Sequence, residues 1–334
     1  MRPLTIAHLK LATPVLVAPM AGFTDLSFRL SIRPLGGIGM AFTEMLNPTS
    51  ILRGGGHRRK AILATTPEDV PLGYQIYGTD PAQLSDAARW LEQNGATLID
   101  INMGCPQRKI AGRGAGAGLL RDPALAVRVA TAVLQAVRVP VTAKLRLGWD
   151  HSSLVAVDLA RALADAGVAA VTVHGRTGGQ GFTGKADWNA IRDVVASVGS
   201  IPVIGNGDVM SPASAEALMA QTGCAGVMIG RGVLRYPWLA RDIARHLEGL
   251  PCLAPSLLDR AEFLLAHFER NIAQYGERGG VVLFRKWLPL YGRALILNRQ
   301  EMVRLLQITD LEEMRAALLS IRNSVEERSN AQAQ

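Results

Sequence analysis

Cys105 sits in the turn Gly104-Cys105-Pro106, with Arg108, Lys109 and Arg113 close behind it. A thiol in such a turn can act as a thiolate nucleophile or, while protonated, as an acid. Lys144 stands near the end of the apolar run 141–145, where an ammonium needs an anionic partner. Two short segments, Gly205-Asn206-Gly207-Asp208 and Gly230-Arg231-Gly232, have the glycines that let backbone N–H groups approach an anion. Arg231 and His174 add positive charge, so the set suits the terminal phosphate of a mononucleotide. Cys224 and Cys252 lack polar neighbours and read as structural, and with no CxxC pair neither a disulfide framework nor a zinc site is expected.

These residues have to be positioned by something. Short β-branched runs recur at 15–18, 39–43, 72–76, 98–101, 141–145, 170–173, 202–204 and 226–229, separated by segments with helical spacing such as 81–94, 123–137, 154–166, 188–198 and 212–222. Asp80-Pro81, Asp122-Pro123 and Ser211-Pro212 each place a capping oxygen before a proline at the first helical position. The strands are continuously apolar, as in a parallel sheet buried on both faces. Eight β-then-α units predict an α/β fold, a (β/α)8 TIM barrel over residues 1–250. A proline-bearing linker follows at 250–255. Beyond it only amphipathic helices are expected, at 257–275, 281–294, 301–307 and 311–322, forming a small all-α bundle over 251–334 with a polar, frayed tail from 325.

In this barrel reacting groups sit at the C-terminal ends of the strands, and phosphate sits after strands seven and eight. Those ends hold Pro19-Met20-Ala21, Gln75, Asn102, Cys105, Lys144, Arg146, His174 and Arg176, besides the two glycine segments. A reduced flavin, anionic around N1 and O2, would partner Lys144, with Gln75 at the ring edge and the 19–21 backbone beside it. The same residues leave three rivals open: a flavin enzyme of a small molecule, a sugar-phosphate lyase using Lys144 as a Schiff base, and a non-catalytic RNA-binding protein.

Charge bears on the partner. Lys and Arg number 36 against 28 Asp and Glu, net +8, which suits a polyanion. Most of that excess lies before residue 251: 25 basic and 18 acidic side chains there, 11 and 10 after it. Arg53, Arg58, Arg59 and Lys60 form a cluster that is either RNA-facing or simply solvated. No apolar run approaches the roughly 20 residues that span a bilayer, and the N-terminus lacks signal-peptide order. A cytoplasmic, metal-free monomer with no membrane partner is the expectation.

Across nearly its whole length the sequence resembles the tRNA-dihydrouridine synthase family, closest to the bacterial B-type subgroup. The resemblance rests on Ala18-Pro19-Met20-Ala21-Gly22-Phe23-Thr24-Asp25 and, most specifically, on Asp100-Ile101-Asn102-Met103-Gly104-Cys105-Pro106. It continues through Lys144-Leu145-Arg146-Leu147-Gly148-Trp149, Val173-His174-Gly175-Arg176-Thr177, Gly205-Asn206-Gly207-Asp208, Met228-Ile229-Gly230-Arg231 and Phe284-Arg285-Lys286-Trp287. Ile110, where valine is common, is a minor departure.

The resemblance implies FMN held by Pro19, Met20, Ala21, Gln75, Lys144, Asn206, Gly207, Asp208, Gly230 and Arg231, with His174 near its phosphate. It implies NADPH or NADH as reductant, tRNA as partner, and Cys105 as the acid that protonates C5 of a uracil while hydride reaches C6. Asn102 and Arg146 then hold the base, Arg176 is a further substrate contact, and Lys109, Arg113, Arg285 and Lys286 face the RNA. A thiol near its ordinary pKa of about 8.5 is mostly protonated at neutral pH and suits the role.

Overall fold

The computed structural model describes residues 3–53 and 61–333. Arg58, Arg59 and Lys60 of the basic cluster lie outside the described residues, and Arg53 is exposed. The chain begins with an antiparallel hairpin, β1 (Leu4–Ile6) and β2 (Leu9–Leu11), that the sequence reading did not anticipate. Eight parallel strands follow: β3 (Val15–Val17), β4 (Met40–Phe42), β5 (Leu72–Ile76), β6 (Ile99–Met103), β7 (Val141–Arg146), β8 (Ala170–His174), β9 (Val203–Asn206) and β10 (Gly226–Ile229). They close into a barrel in sequence order, with β10 pairing β3.

Two-residue periodicity divides the barrel into an inside and an outside. Val15, Val17, Ile99, Ile101, Val141, Ala143, Val171 and Val227 belong to the large core shared with the surrounding helices. Leu16, Met40, Phe42, Leu98, Ala170, Ile204 and Met228 form a separate cluster with Leu4, Ile6 and Leu11 of the hairpin. The hairpin therefore plugs the N-terminal end of the barrel. Further along the same inward parity come Gln75, Asp100, Asn102, Thr142, Lys144, Arg146, His174 and Asn206. An apolar floor thus gives way to a polar layer toward the C-terminal mouth.

Helices 81–93, 123–136 and 212–222 begin with proline at N1, capped by Asp80, Asp122 and Ser211 as expected. After the linker, helix Leu257–Tyr275 packs against helix Leu26–Ile32 of the barrel. Phe28 stacks on Trp287 at 4.8 Å between ring centroids, and the Ser27 N–H donates to Gln274 at 2.7 Å.

Two expectations need correction. The helix anticipated over 281–294 is two, Glu277–Phe284 and Leu288–Gly292, because Pro289 has no N–H for the carbonyl four residues back. The tail from 325 is not frayed at its start: helix Leu311–Ala333 runs through it, Val325 is buried, and Arg322 pairs with Glu326 one turn on. Cys252 is exposed on the linker, while Cys224 is buried.

Candidate active site

The barrel mouth opens into a cavity of about 370 Å³, within the usual range of small-molecule sites, about 300–1,000 Å³. Its wall combines the loop after β3 (Pro19, Met20, Ala21), Asn102 of β6 and Cys105 in the turn after it, Lys144 and Arg146 of β7, and His174 of β8. Asn206 at the end of β9, Gly207 and Asp208 just after it, and Gly230 and Arg231 after β10 continue it. Phe23, Met45 and Phe182, which sequence reasoning missed, also line it.

Lys144 is a half-buried cation on the cavity wall. Its Nζ donates to Asn206 Oδ1 at 3.1 Å, and Asn206 Nδ2 donates to the Met228 carbonyl at 2.6 Å. An ammonium carries three donors, so Lys144 has room for further acceptors. Burial, then the charge of Arg146, pull its pKa down to about 8.

His174 is held well below its ordinary pKa, first by burial and then by Lys144, Arg146, Arg176 and Arg231. Its Nε2 lies 3.3 Å from Arg176 Nη1. A guanidinium only donates, so Nε2 accepts and the neutral ring carries its proton on Nδ1. Gly207 has φ +119°, and a Cβ there would come within 2.8 Å of the His174 ring and Ala186. Cations outnumber carboxylates on this wall, and the site's donors suit an anion.

Cys105 is half-buried and unpaired by any disulfide. Burial raises its pKa, against the Gln107 N–H and the charges of Arg146 and Lys144. Asn102 holds the turn by accepting from the Gly104 N–H at 3.1 Å and the Cys105 N–H at 2.9 Å.

Several anticipated residues are placed differently. Gln75 is fully buried outside the cavity wall, donating to Asp100 and accepting from Asn102, both at 2.7 Å. Arg176 is also outside the wall: it donates to both oxygens of Asp208 and to the carbonyls of Thr183 and Gly184. Asp208 takes those bonds in a left-handed conformation (φ 58°) and accepts from the Ala186 N–H, so its carboxylate is spent within the protein. Arg146 lines the cavity, but its guanidinium binds the carbonyls of Gly104, Thr177 and Gly181.

Lys109 and Arg113 line a second, polar cavity of about 210 Å³ with Tyr77, Thr79 and Asp80. Arg285 is engaged by the Gln307 and Ile308 carbonyls. Lys286 lies 3.7 Å from Asp25 at the junction of the barrel and the helical unit, 5.7 Å from the Phe23 ring. Phe284 and Trp287 beside them are core residues.

The sequence model of the dihydrouridine synthase (Dus) family matches residues 16–325. The chain is 40% identical over 331 residues to a probable tRNA-dihydrouridine synthase of Rhodobacter capsulatus, covering 98% of this chain and 99% of the relative. It is 43% identical over 292 residues to tRNA-dihydrouridine synthase B of Xanthomonas axonopodis pv. citri, covering 86% of each. It is 40% identical over 320 residues to tRNA-dihydrouridine synthase B of Pseudomonas aeruginosa, covering 95% of this chain and 94% of that one. Among solved structures, histamine dehydrogenase from Rhizobium sp. 4-9 superposes with TM-score 0.55 at 15% identity over 80% of this chain. A 2-naphthoyl-CoA reductase complex does so with TM-score 0.56 at 12% identity over 75%. The chain spans about half the length of those two structures, and at such low identity they bear on the fold alone. A closed barrel with this polar mouth, and sequence similarity along nearly the full chain, place it in the dihydrouridine synthase family.

Proposed function

We propose that this protein is a tRNA-dihydrouridine synthase that reduces the C5=C6 bond of uridines in tRNA, with FMN as bound cofactor and NADPH or NADH as reductant. The observation that carries the reading is the presence, on one cavity wall, of a half-buried thiol whose pKa burial raises and a half-buried ammonium with donors to spare.

The donor set fits FMN. Gly207, Gly230, Arg231 and the Nδ1–H of His174 would hold the phosphate, and Lys144 with the 19–21 loop would hold the ring. When bound and reduced, FMN supplies the hydride that reaches C6 of the uracil. Lys144 opposes the negative charge that gathers at that end of the cavity. Cys105 gives its thiol proton to C5 as the C4 carbonyl takes up enolate charge, and a pKa raised by burial keeps that proton in place until then. Asn102 keeps the thiol's turn in register.

A uracil reaches this cavity only when it leaves its stack. Phe182, 58% exposed on the rim between Arg146 and Arg231, offers such a base an aromatic face. Lys109 and Arg113, beside the Cys105 turn, are among the exposed cations available to the RNA backbone. The test is incubation of the protein with FMN, NADPH and unmodified tRNA, followed by mass spectrometry of the nucleosides. Gain of two hydrogens on uridine supports the reading; a yellow, NADPH-oxidising protein that leaves tRNA unchanged but reduces a free enone contradicts it.

A further inference from the structure

Asp100, on β6, is 1% exposed and lies in the barrel interior between Gln75 of β5 and Thr142 of β7, its register partners. Both carboxylate oxygens are engaged: Oδ2 accepts from Gln75 Nε2 at 2.7 Å, and Oδ1 from Thr142 Oγ1 at 2.6 Å. From there the bonds run in one direction. Gln75 Oε1 accepts from Asn102 Nδ2 at 2.7 Å, and Asn102 Oδ1 accepts from the Gly104 and Cys105 N–H groups. Two amides thus connect a buried carboxylate to the backbone of the thiol's turn.

A primary amide can be turned end for end at little steric cost, so its orientation has to be dictated by a neighbour. An ionised carboxylate only accepts. It obliges Gln75 to present its NH₂ inward and its carbonyl to Asn102, which obliges Asn102 to present its carbonyl to the turn. With the polarity reversed, the Asn102 NH₂ would meet the N–H groups of Gly104 and Cys105, donor against donor, and the turn would shift.

We propose that Asp100 is a positioning residue of the reaction: without touching substrate, it fixes the polarity of the Gln75–Asn102 chain and so the placement of the Cys105 thiol. The inference rests on the proposed function for its catalytic readout only.

The experiment compares Asp100→Leu, Gln75→Met and Asp100→Asn as FMN-loaded proteins. Iodoacetamide alkylation of Cys105 is read against that of exposed Cys252, beside kcat and KM for tRNA. Asp100→Leu removes the terminal acceptor and Gln75→Met cuts the chain one link on, which covers the case where the first variant fails to fold. Each should change the Cys105-to-Cys252 alkylation ratio on the order of tenfold and lower kcat roughly 10- to 100-fold, the scale of a small misplacement, with KM little changed. Asp100→Asn can still accept from Gln75 while its NH₂ donates to a reversed Thr142 hydroxyl, so it should restore most of both readouts. A wild-type alkylation ratio and kcat in folded Asp100→Leu and Gln75→Met would overturn the proposal. So would an Asp100→Asn protein as impaired as Asp100→Leu, because that assigns the effect to charge instead of polarity. If the parent makes no dihydrouridine but the alkylation pattern holds, the functional reading fails and the positioning role stands.

Discussion

Lys144 Nζ donates to Asn206 Oδ1 at 3.1 Å across the barrel interior, joining β7 to β9 past the intervening β8. The contact links the ring end of the proposed FMN site to the glycine turn at its phosphate end. Replacing Lys144 with Met should therefore weaken FMN binding by about 10- to 100-fold, the worth of a hydrogen bond to a charged group. Flavin fluorescence titration checks this; unchanged affinity would remove Lys144 from the site.

The same lysine gives the flavin-free protein a pH signature. Its folded pKa, about 8, lies below the unfolded value of about 10.4, so between the two the unfolded chain binds more protons and stability rises with pH. The desolvation penalty of the half-buried ammonium is complete below the folded pKa and fades above it. At neutral pH Lys144→Met should melt at a higher temperature than the parent, and the gap should narrow toward pH 9.5. A gap independent of pH would mean that the ammonium is not buried.

Gly207→Ala puts a methyl group against His174 at a φ of +119°. Stability should fall by about 1–3 kcal/mol from backbone strain, and the purified protein should lose FMN while keeping its secondary structure. Normal flavin content would contradict the assignment of this turn to the phosphate.

Lys109 and Arg285 should separate cleanly. Lys109→Ala should weaken tRNA binding and reduce the slope of log affinity against log salt by about one. Arg285→Ala should leave that slope unchanged and lower thermal stability, because its guanidinium is committed to the carbonyls of residues 307 and 308. A smaller salt slope for Arg285→Ala would return it to the RNA surface.

The eight barrel strands were legible because β-branched runs between turn residues carry both the strand signal and the parallel-sheet signal. The proline-started helices were legible for an equally local reason, their caps. The hairpin Leu4–Ile6 and Leu9–Leu11 was not: its strands are three residues long, and their purpose, covering the barrel floor, exists only once the barrel has closed. Among site residues, inward parity carries Asn102, Lys144, His174 and Asn206 to the cavity. Gln75 shares it but is taken up by Asp100 and Asn102. Asp100 left a signal, a carboxylate in an apolar run, whose use depended on which strands became neighbours. Arg176 and Arg285 read as RNA contacts because a sequence shows a cation's charge without the carbonyls that consume it.

The central claim is that Cys105 supplies the proton at C5. It is tested most directly by single-turnover reaction of unmodified tRNA with Cys105→Ala whose FMN has been reduced beforehand. Flavin content and reduction by NADPH should match the parent, while dihydrouridine formation should slow by about 100- to 10,000-fold, the usual loss on removing a general acid. Dihydrouridine formed at the parent rate would contradict the account.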